Sequence, residues 1–271
     1  MKAAVLGTPI AHSLSPVLHR AAYEALGLAG WTYQAIECGE AQLPGLLDGC
    51  GPGWAGLSLT MPLKRAVLGL LDHVDPLAGE VGAANTVVFA GGRRHGHNTD
   101  VPGMIAALAE AGIASAPDPV LILGGGATAC SALGAVRGLG AAEATVAVRE
   151  PARAGHLLAA ARRLGVTVTL TPFDQPAVAA PGLLISTVPA GAASLYAKRI
   201  TRGELKPGHL LDVVYRPWPT ALAAAAGPAG AGVVGGFPML LHQAAGQVVL
   251  MTGRRAPVEA MRTAGLAALG A

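Results

Sequence analysis

The chain has 271 residues, of which 52% are hydrophobic, 13% charged and 4% aromatic, so its core must be built mainly from Ala, Val and Leu. Its net charge of +3 is small and scattered, and it gives no electrostatic reason to expect binding to nucleic acid or to an anionic membrane. No stretch of 18 strongly apolar residues predicts a transmembrane helix, and the N-terminal "MKAAVLGTPIAHSLSP" turns polar too early for a signal peptide. We therefore expect a soluble cytoplasmic protein.

The cysteines agree with this expectation, and the histidines bear on whether the protein binds a metal. The three cysteines (Cys38, Cys50 and Cys130) lack CxxC spacing and suit reduced thiols in a cytosol. Among the eight histidines, His95 and His97 could share a strand face, but no third ligand accompanies them. The sequence therefore predicts no metal site.

The first half of the chain predicts a mixture of strands and helices. Strands are predicted at 2–6, 31–38 and 54–60, and helices at 15–28, 62–72 and 103–112. The first helix has Ser15 as its expected N-cap, Pro16 in its first turn and Gly27 near its end. The segment "ANTVVFAGGRRHGHNTD" (84–100) is typical of a hairpin with a Gly-Gly tip.

The second half alternates strands with helices. The segment "PVLILGGGATACSALGAVRGLG" (119–140) predicts a buried strand, a glycine turn and a helix. Further strands are predicted in "EATVAVRE", "VTVTL", "GLLISTVPA" and "HLLDVVY". This alternation indicates an α/β fold with a doubly wound parallel sheet. The last stretch predicts two helices separated near Gly253 and Pro257.

The glycine turn has the spacing of a dinucleotide site, with Gly124, Gly126 and Ala129 between a predicted strand and a predicted helix. Glycines allow the tight turn and the close approach of a pyrophosphate, which the helix N-terminus then faces. The alternative is a tight strand–helix turn without a ligand. After the next strand, Arg149 and Arg153 favour the 2′-phosphate of NADP, whereas Glu150 between them favours the ribose hydroxyls of NAD.

Polar side chains follow several strands of the first half, where open α/β sheets usually bind ligands. The clusters are Ser13 with Ser15, Ser58 with Thr60, and Asn85 with Asn98, Thr99 and Asp100. Helix capping is the alternative role, for Ser15 and for Asp100 before a helix beginning near Pro102. Together the clusters predict a site for a polyhydroxylated acid.

Lysine is rare in this chain, where only four of the 19 basic residues are lysine. One of the four, Lys64, follows the turn "TMPL". Arginine keeps its proton under all physiological conditions, whereas lysine can release one. Lys64 is therefore a candidate proton donor and acceptor, the alternative being an exposed lysine at a helix start.

Six segments together resemble the shikimate dehydrogenase family, in its order and spacing: "GTPIAHSLSP", "LSLTMPLK", "GAANT", "HNTD", "LGGGATA" and "GFPMLLHQA". The resemblance implies reversible, NADPH-dependent reduction of 3-dehydroshikimate to shikimate, in the chorismate pathway to the aromatic amino acids. It implies an α/β substrate-binding and catalytic domain at 1–102 and 237–271, whose C-terminal helices pack back on its first part. It also implies a Rossmann-like NADP-binding domain at 103–236. A small-molecule substrate is the only partner implied, and the protein is expected to be a monomer or a homodimer.

The resemblance also implies roles for single residues. Lys64 and Asp100 match the family's catalytic pair. Substrate contacts are implied for Ser13, Ser15, Thr60, Asn85, Tyr215 and Gln243. Cofactor contacts are implied for Gly124, Gly126, Ala127, Arg149, Arg153, Gly236 and Met239, the last two near the nicotinamide.

This chain departs from the family pattern at four places. Ser58-Leu59-Thr60 replaces the usual Asn-Val-Thr, and Ala127 stands where the loop usually has a third glycine. Val101 stands at a common glycine position, and Val148-Arg149-Glu150 replaces Asn-Arg-Thr, which bears on strict NADP preference. The alternatives are a quinate or aminoshikimate dehydrogenase, a non-catalytic dinucleotide sensor on the same scaffold, and a folate dehydrogenase of similar architecture. The last would not need the paired serines.

Overall fold

The computed structural model describes residues 1–175 and 178–270 of the chain. They divide into two compact units: unit 1 comprises Met1–Gly103 and the residues from Leu240 onward, and unit 2 comprises Met104–Met239. Of the residues assigned above to the two expected domains, Pro176, Ala177 and Ala271 lie outside the described residues. Within the described part of the chain, no helix has both the length and the apolar character needed to cross a membrane.

Unit 1 is built on a mixed six-stranded sheet with the order β2-β1-β3-β5-β6-β4. The strands are β1 (Lys2–Gly7), β2 (Thr32–Glu37), β3 (Trp54–Leu59), β4 (His73–Val74), β5 (Thr86–Ala90) and β6 (Arg93–His97). The helices are α1 (Ser15–Ala25), α2 (Leu43–Asp48), α3 (Leu63–Ala66), α4 (Pro76–Val81), the start of α5 (Asp100–Glu110), most of α10 (Gly236–Thr252), and α11 (Val258–Leu269). Strand β1 pairs in parallel with both β2 and β3, whereas β5 is antiparallel to β3 and β6.

The local sequence explains the centre of this sheet. Strand β1 is buried at five consecutive residues, as expected for a parallel strand covered on both faces. The predicted hairpin is confirmed: β5 and β6 are joined by Gly91 and Gly92, whose φ angles of +59° and +75° suit glycine. The predicted return of the C-terminal helices is also confirmed, because α11 packs against α1. The pairing of β5 with β6 brings Asn85, just before β5, close to Asn98, just after β6.

Unit 2 is a parallel sheet with the order β12-β11-β10-β7-β8-β9. Its strands are β7 (Val120–Leu123), β8 (Glu143–Val148), β9 (Thr167–Pro172), β10 (Leu183–Ser186), β11 (His209–Asp212) and β12 (Gly232–Val234). Its helices are α6 (Ala127–Gly138), α7 (Gly155–Leu164), α8 (Ser194–Thr201), α9 (Ala221–Ala226) and the second part of α5. Read from β9 to β12, the order is that of the doubly wound dinucleotide-binding fold, so the prediction of this fold class is confirmed. The strand order reverses beside β7, where ligands bind in such sheets.

One predicted helix cap was wrong. Helix α1 begins at Ser15 itself, and the residue before it, Leu14, makes no side-chain cap. The hydroxyl of Ser13 instead accepts the backbone N–H of Ser15, over 3.3 Å. The cap was misplaced by one residue, because only the backbone conformation decides where the helix begins, and it begins at Ser15 and not after it. The expected proline in the first turn, Pro16, is confirmed.

A buried histidine lies in the core of unit 1. The ring of His19 is fully buried and stacks on Tyr33, with ring centroids 4.0 Å apart. Its Nε2 lies 3.3 Å from Oε1 of Gln247, whereas its Nδ1 has no hydrogen-bond partner among the described residues. Burial lowers the pKa of His19 to about 3, although the contact with Gln247 raises it in part. His19 is therefore neutral in the folded protein at neutral pH and donates from Nε2.

This histidine should make the stability of the protein depend on pH. The unfolded chain binds a proton at this residue near pH 6.5, but the folded chain does so only near pH 3. Because the folded-state pKa is lowered, the stability is fully present above pH 6.5 and is lost as the pH falls. We expect wild type to lose up to about 1.4 kcal/mol per pH unit relative to His19→Gln below pH 6.5. Urea unfolding at pH 7, 6 and 5 measures this, and parallel pH profiles would contradict it.

Candidate active site

A lysine and an aspartate form a short ion pair at the end of the unit 1 sheet where the parallel strands β1 and β3 have their carboxyl ends. Lys64 lies on α3, just after β3, and its Nζ is 2.6 Å from Oδ2 of Asp100, the first residue of α5. The side chains are only 13% and 4% exposed, respectively. The backbone carbonyl of Lys64 accepts the N–H of Ala84, which ties α3 to the segment before β5. The lysine of the pair is therefore held in place through its own backbone.

Asp100 does not cap the helix that follows. Helix α5 begins at Asp100, and Asn98 Oδ1 accepts the backbone N–H of Val101 in the first turn. The side chain of Asn98 also donates to the carbonyl of Ala83. The alternative role proposed for Asp100, capping a helix from Pro102, was therefore wrong. Because Asn98 supplies the local hydrogen bonds, the carboxylate of Asp100 remains available to Lys64.

Asn85 connects this pair to its surroundings. Its Nδ2 donates to Oδ1 of Asp100 over 2.9 Å and lies 3.3 Å from Oε1 of Gln243. Its Oδ1 accepts the backbone N–H of Thr99 over 2.8 Å. Both oxygens of the Asp100 carboxylate are therefore hydrogen-bonded. Four of the residues singled out from the sequence, Lys64, Asp100, Asn85 and Gln243, thus form one cluster.

The hydroxyl-bearing candidates lie at the ends of neighbouring strands. Ser13 and Ser15 follow β1, and Thr60 follows β3, the parallel partner of β1. Ser15 is buried, whereas Ser13 and Thr60 are half-buried. The methyl group of Thr60 lies against Gly7, where an added Cβ would collide with it. These three hydroxyls therefore lie beyond the carboxyl ends of the neighbouring strands β1 and β3, as expected from the sequence.

In unit 2, the glycine turn has a shape that suits a dinucleotide. Gly124 has a φ of +111°, and an added Cβ would come within 2.5 Å of Oγ1 of Thr187. Gly126 directly precedes α6, which begins at Ala127, and a Cβ at Gly126 would meet no protein atom within 4 Å. The backbone conformation and the contact with Thr187 therefore require glycine at position 124, whether or not a ligand is bound. Gly126 leaves open space at a helix N-terminus, where a pyrophosphate could approach the backbone.

The two candidate arginines lie on the surface beyond β8. Arg149 is exposed, and Nη1 of Arg153 lies 3.3 Å from Oε2 of Glu150. That ion pair is mostly exposed, so it contributes little stability and leaves Arg153 free to change partner. His156, which sequence reasoning missed, donates from Nε2 to the carbonyl of Gly125 over 2.6 Å. No sequence motif marked His156, since its partner lies 31 residues away.

The segment after β11 carries Tyr215 and is anchored by a buried carboxylate. Asp212 accepts the N–H of Val214 over 3.2 Å and the hydroxyl of Thr220 over 2.7 Å. Burial raises the pKa of Asp212, and these hydrogen bonds offset the increase only in part. Gly236 donates to the carbonyl of Val214, and an added Cβ would collide with the preceding carbonyl. Tyr215, Gly236 and the buried Met239 thus belong to unit 2.

Comparison with known proteins identifies the family. A family model described as the shikimate dehydrogenase substrate binding domain matches residues 5–87, and one described as the shikimate 5′-dehydrogenase C-terminal domain matches residues 236–264. A curated relative from Thermus thermophilus, named shikimate dehydrogenase (NADP(+)), is 39% identical over 100% of this chain and 99% of its own length.

Solved structures agree. The shikimate dehydrogenase of Mycobacterium tuberculosis is 46% identical, with a TM-score of 0.88 over 98% of this chain and 99% of its own. A Thermus thermophilus shikimate 5-dehydrogenase, in complex with NADP(H) and shikimate, is 34% identical, with a TM-score of 0.85 over 99% of each chain. A quinate dehydrogenase from Corynebacterium glutamicum, in complex with NAD, is 30% identical, with a TM-score of 0.86 over 98% of this chain and 99% of its own.

The identity extends along the whole chain, and the clustered Lys64 and Asn85 lie in the part that the substrate-domain model matches, with Asp100 beyond its end. This chain belongs to the shikimate dehydrogenase family.

Proposed function

We propose that this protein is an NADP-dependent shikimate dehydrogenase, which reversibly reduces 3-dehydroshikimate to shikimate on the way to chorismate and the aromatic amino acids. The observation that carries the proposal is the Lys64–Asp100 pair, 2.6 Å apart and hydrogen-bonded on its second carboxylate oxygen by Asn85. Full-length relatives that bear this name, and a relative's complex with NADP(H) and shikimate, support it.

Lys64 moves the proton of the reaction. When the ketone of the substrate is reduced, its oxygen becomes an alkoxide and must take a proton, which Lys64 donates. In the oxidation direction, Lys64 accepts that proton. Asp100 holds the ammonium group by a charge-assisted hydrogen bond and fixes its position. Asn85, which donates to Asp100, keeps the carboxylate turned toward the lysine.

The remaining polar groups of unit 1 suit a ring acid with several hydroxyls. Ser13 and Ser15 offer two hydroxyl donors to a carboxylate, and the family resemblance implies a substrate contact for Tyr215 as well. Thr60, Asn85 and Gln243 bind ring hydroxyls. Such a site selects its substrate strongly, because a misfitting analogue leaves buried polar groups without partners. On this proposal, unit 1 is the substrate-binding and catalytic domain.

Unit 2 holds the cofactor, and its glycine turn fits one. NADPH, when bound, supplies the hydride that reduces the ketone. The open backbone at Gly126 and the start of α6 at Ala127 bind the pyrophosphate, and Gly124 makes the turn. Arg149 and Arg153 bind the 2′-phosphate, while Gly236 and Met239 lie near the nicotinamide.

The alternatives are weaker on the same observations. A non-catalytic sensor would not need Lys64 and Asp100, which are both present and paired. No feature of the site favours quinate or aminoshikimate over shikimate. We further propose that the enzyme acts in the cytoplasm as a monomer or homodimer, without nucleic acid. Its three cysteines are free thiols, which suits a reducing compartment.

Replacing the proton donor tests the mechanism. Lys64→Met should lower kcat by about 10² or more, the lower range for a lost general acid or base, and weaken shikimate binding less. Lys64→Arg should not restore activity, because the guanidinium keeps its proton. Lys198→Met, at an exposed lysine of α8, is the matched control and should keep full activity. Near-normal turnover of Lys64→Arg would remove Lys64 as the proton donor.

The cofactor preference can be tested at the two arginines. The double variant Arg149→Ala/Arg153→Ala should raise the KM for NADP and leave that for NAD nearly unchanged, because only NADP carries the 2′-phosphate. The matched control is Arg162→Ala, at an exposed arginine of α7. Initial rates at 340 nm with both cofactors give these constants. Equal kcat/KM for NADP and NAD in wild type would refute the preference and implicate Glu150 in holding the ribose.

Substrate choice is the third test. Quinate has an added hydroxyl at C1 and a puckered ring, so its kcat/KM should be lower than that of shikimate by about 10² or more. Ser13→Ala and Ser15→Ala should each raise the KM for shikimate and leave the cofactor KM unchanged. Ser115→Ala, at an exposed serine of unit 2, should change neither. A kcat/KM for quinate that equals the value for shikimate would contradict the assignment of shikimate as the preferred substrate.

A further inference from the structure

A second glutamine lies one helical turn beyond Gln243 on α10. Gln247 is 1% exposed, and both its polar atoms are hydrogen-bonded within unit 1. Its Oε1 accepts the hydroxyl of Ser58 over 2.8 Å and lies 3.3 Å from the Nε2 of His19. Its Nε2 donates to the backbone carbonyl of Asn85 over 3.2 Å and to Oγ1 of Thr86 over 3.1 Å. Gln247 thus joins the core of unit 1 to Asn85.

The donors in this network have a fixed direction. Tyr33 donates its phenolic hydrogen to Ser58, and Ser58 donates its own to Gln247. The amide nitrogen of Gln247 donates to Thr86, whose hydroxyl then has its single hydrogen free for Oδ1 of Asn85, 2.9 Å away. Each hydroxyl carries one hydrogen, so the direction at one end fixes the direction at the other.

This direction determines how the Asn85 amide is turned. Its Oδ1 accepts from Thr86 and from the backbone N–H of Thr99, so its Nδ2 must face Asp100. A turned amide would present an oxygen to the carboxylate of Asp100 and repel it. Gln247 acts on this choice through Thr86, and it also holds the backbone of Asn85 by donating to its carbonyl.

The network coincides with a departure of this chain from its family. Ser58 stands where the family usually has asparagine, and its hydroxyl is buried and bonded to Tyr33 and Gln247. Ser58 is therefore part of the support for Asn85 in this protein.

We propose that Gln247 is a positioning residue for the dehydrogenase reaction, which acts through Thr86 and Asn85 to hold Asp100 and Lys64 in place. The inference rests on the proposed function for its effect on catalysis. Gln247 itself touches neither member of the catalytic pair. Its role differs from that of Gln243, whose Oε1 lies 3.3 Å from Nδ2 of Asn85 and whose Nε2 donates to the carbonyl of Leu240.

The direct test is Gln247→Met, which keeps a side chain of similar length and removes every hydrogen bond of the amide. We expect kcat/KM for shikimate to fall about tenfold or more, because catalytic groups that are slightly misplaced lose much of their effect. The KM for NADP should not change. The matched control is Val248→Ala, which creates a cavity at the neighbouring, fully buried position of α10 and should lower the melting temperature without lowering kcat/KM. Unchanged kcat/KM in Gln247→Met would overturn the proposal.

A double-mutant cycle separates positioning from a general loss of stability. If Gln247 acts through Asn85, Gln247→Met should reduce kcat/KM much less in an Asn85→Ala background than in wild type. Full additivity of the two changes would overturn the proposal. Should Gln247→Met not fold, Thr86→Val removes only the intervening hydroxyl, and the same loss of kcat/KM is expected from it.

An activity-independent measurement distinguishes this inference from the proposed function. In NMR spectra, the side-chain amide of Asn85 should exchange with solvent faster in Gln247→Met than in wild type or Val248→Ala. Equal exchange in all three proteins would overturn the role of Gln247. A wild-type enzyme that does not turn over shikimate with NADP would instead contradict the proposed function and leave this measurement valid.

Discussion

Two opposite charges held 2.6 Å apart, with little access to solvent, determine how the first unit is organised. Removing an ammonium and a carboxylate from water costs several kcal/mol for each ion, and their mutual attraction offsets this only when other hydrogen bonds complete the site. The structure supplies these bonds. Asn85 donates to the second carboxylate oxygen, and Thr99 and Thr86 fix the orientation of Asn85. The polar residues around the pair therefore offset part of the cost of burying it.

The support for the pair reaches deep into the hydrophobic core. Gln247, Ser58, Tyr33 and His19 are all nearly or completely buried, although each carries polar atoms. Hydrogen bonds between buried groups hold these side chains in fixed positions, although Nδ1 of His19 has no partner among the described residues. Burial that lowers the pKa of His19 to about 3 also keeps it a neutral donor to Gln247. Acid should therefore destabilise the folded unit that contains this network, because the unfolded chain takes up the proton at a higher pH than the folded chain does.

In the second unit, the glycine turn leaves part of the backbone accessible. Gly124 is confined by Thr187 and needs its positive φ, whereas Gly126 faces open space at the start of α6. The carboxyl ends of parallel strands provide this arrangement wherever the strand order reverses. Asp212 then anchors the segment of Tyr215 by bonds to Val214 and Thr220.

Local sequence patterns predicted much of the fold and part of the site. The Gly-Gly hairpin, the glycine turn after β7 and the alternation of strands and helices in unit 2 are local features, and the structure contains them. Short elements were missed, among them α2, α4, α9, β4 and β12, because six or fewer residues carry too little periodicity. Two capping roles, for Ser15 and Asp100, were wrong, because several residues nearby could supply the same hydrogen bond.

The sequence by itself determined the family, the fold class and the rare lysine that can exchange a proton, since each depends on residue type and spacing along the chain. Only the tertiary structure decided which side chains support that lysine. Asp100 lies 36 residues from Lys64, and Gln247 lies 162 residues from Asn85. Hydrogen bonds depend on distances and directions of about an ångström and a few tens of degrees. Such geometry arises only when β3, β5, α5 and α10 pack together, and no local pattern encodes it.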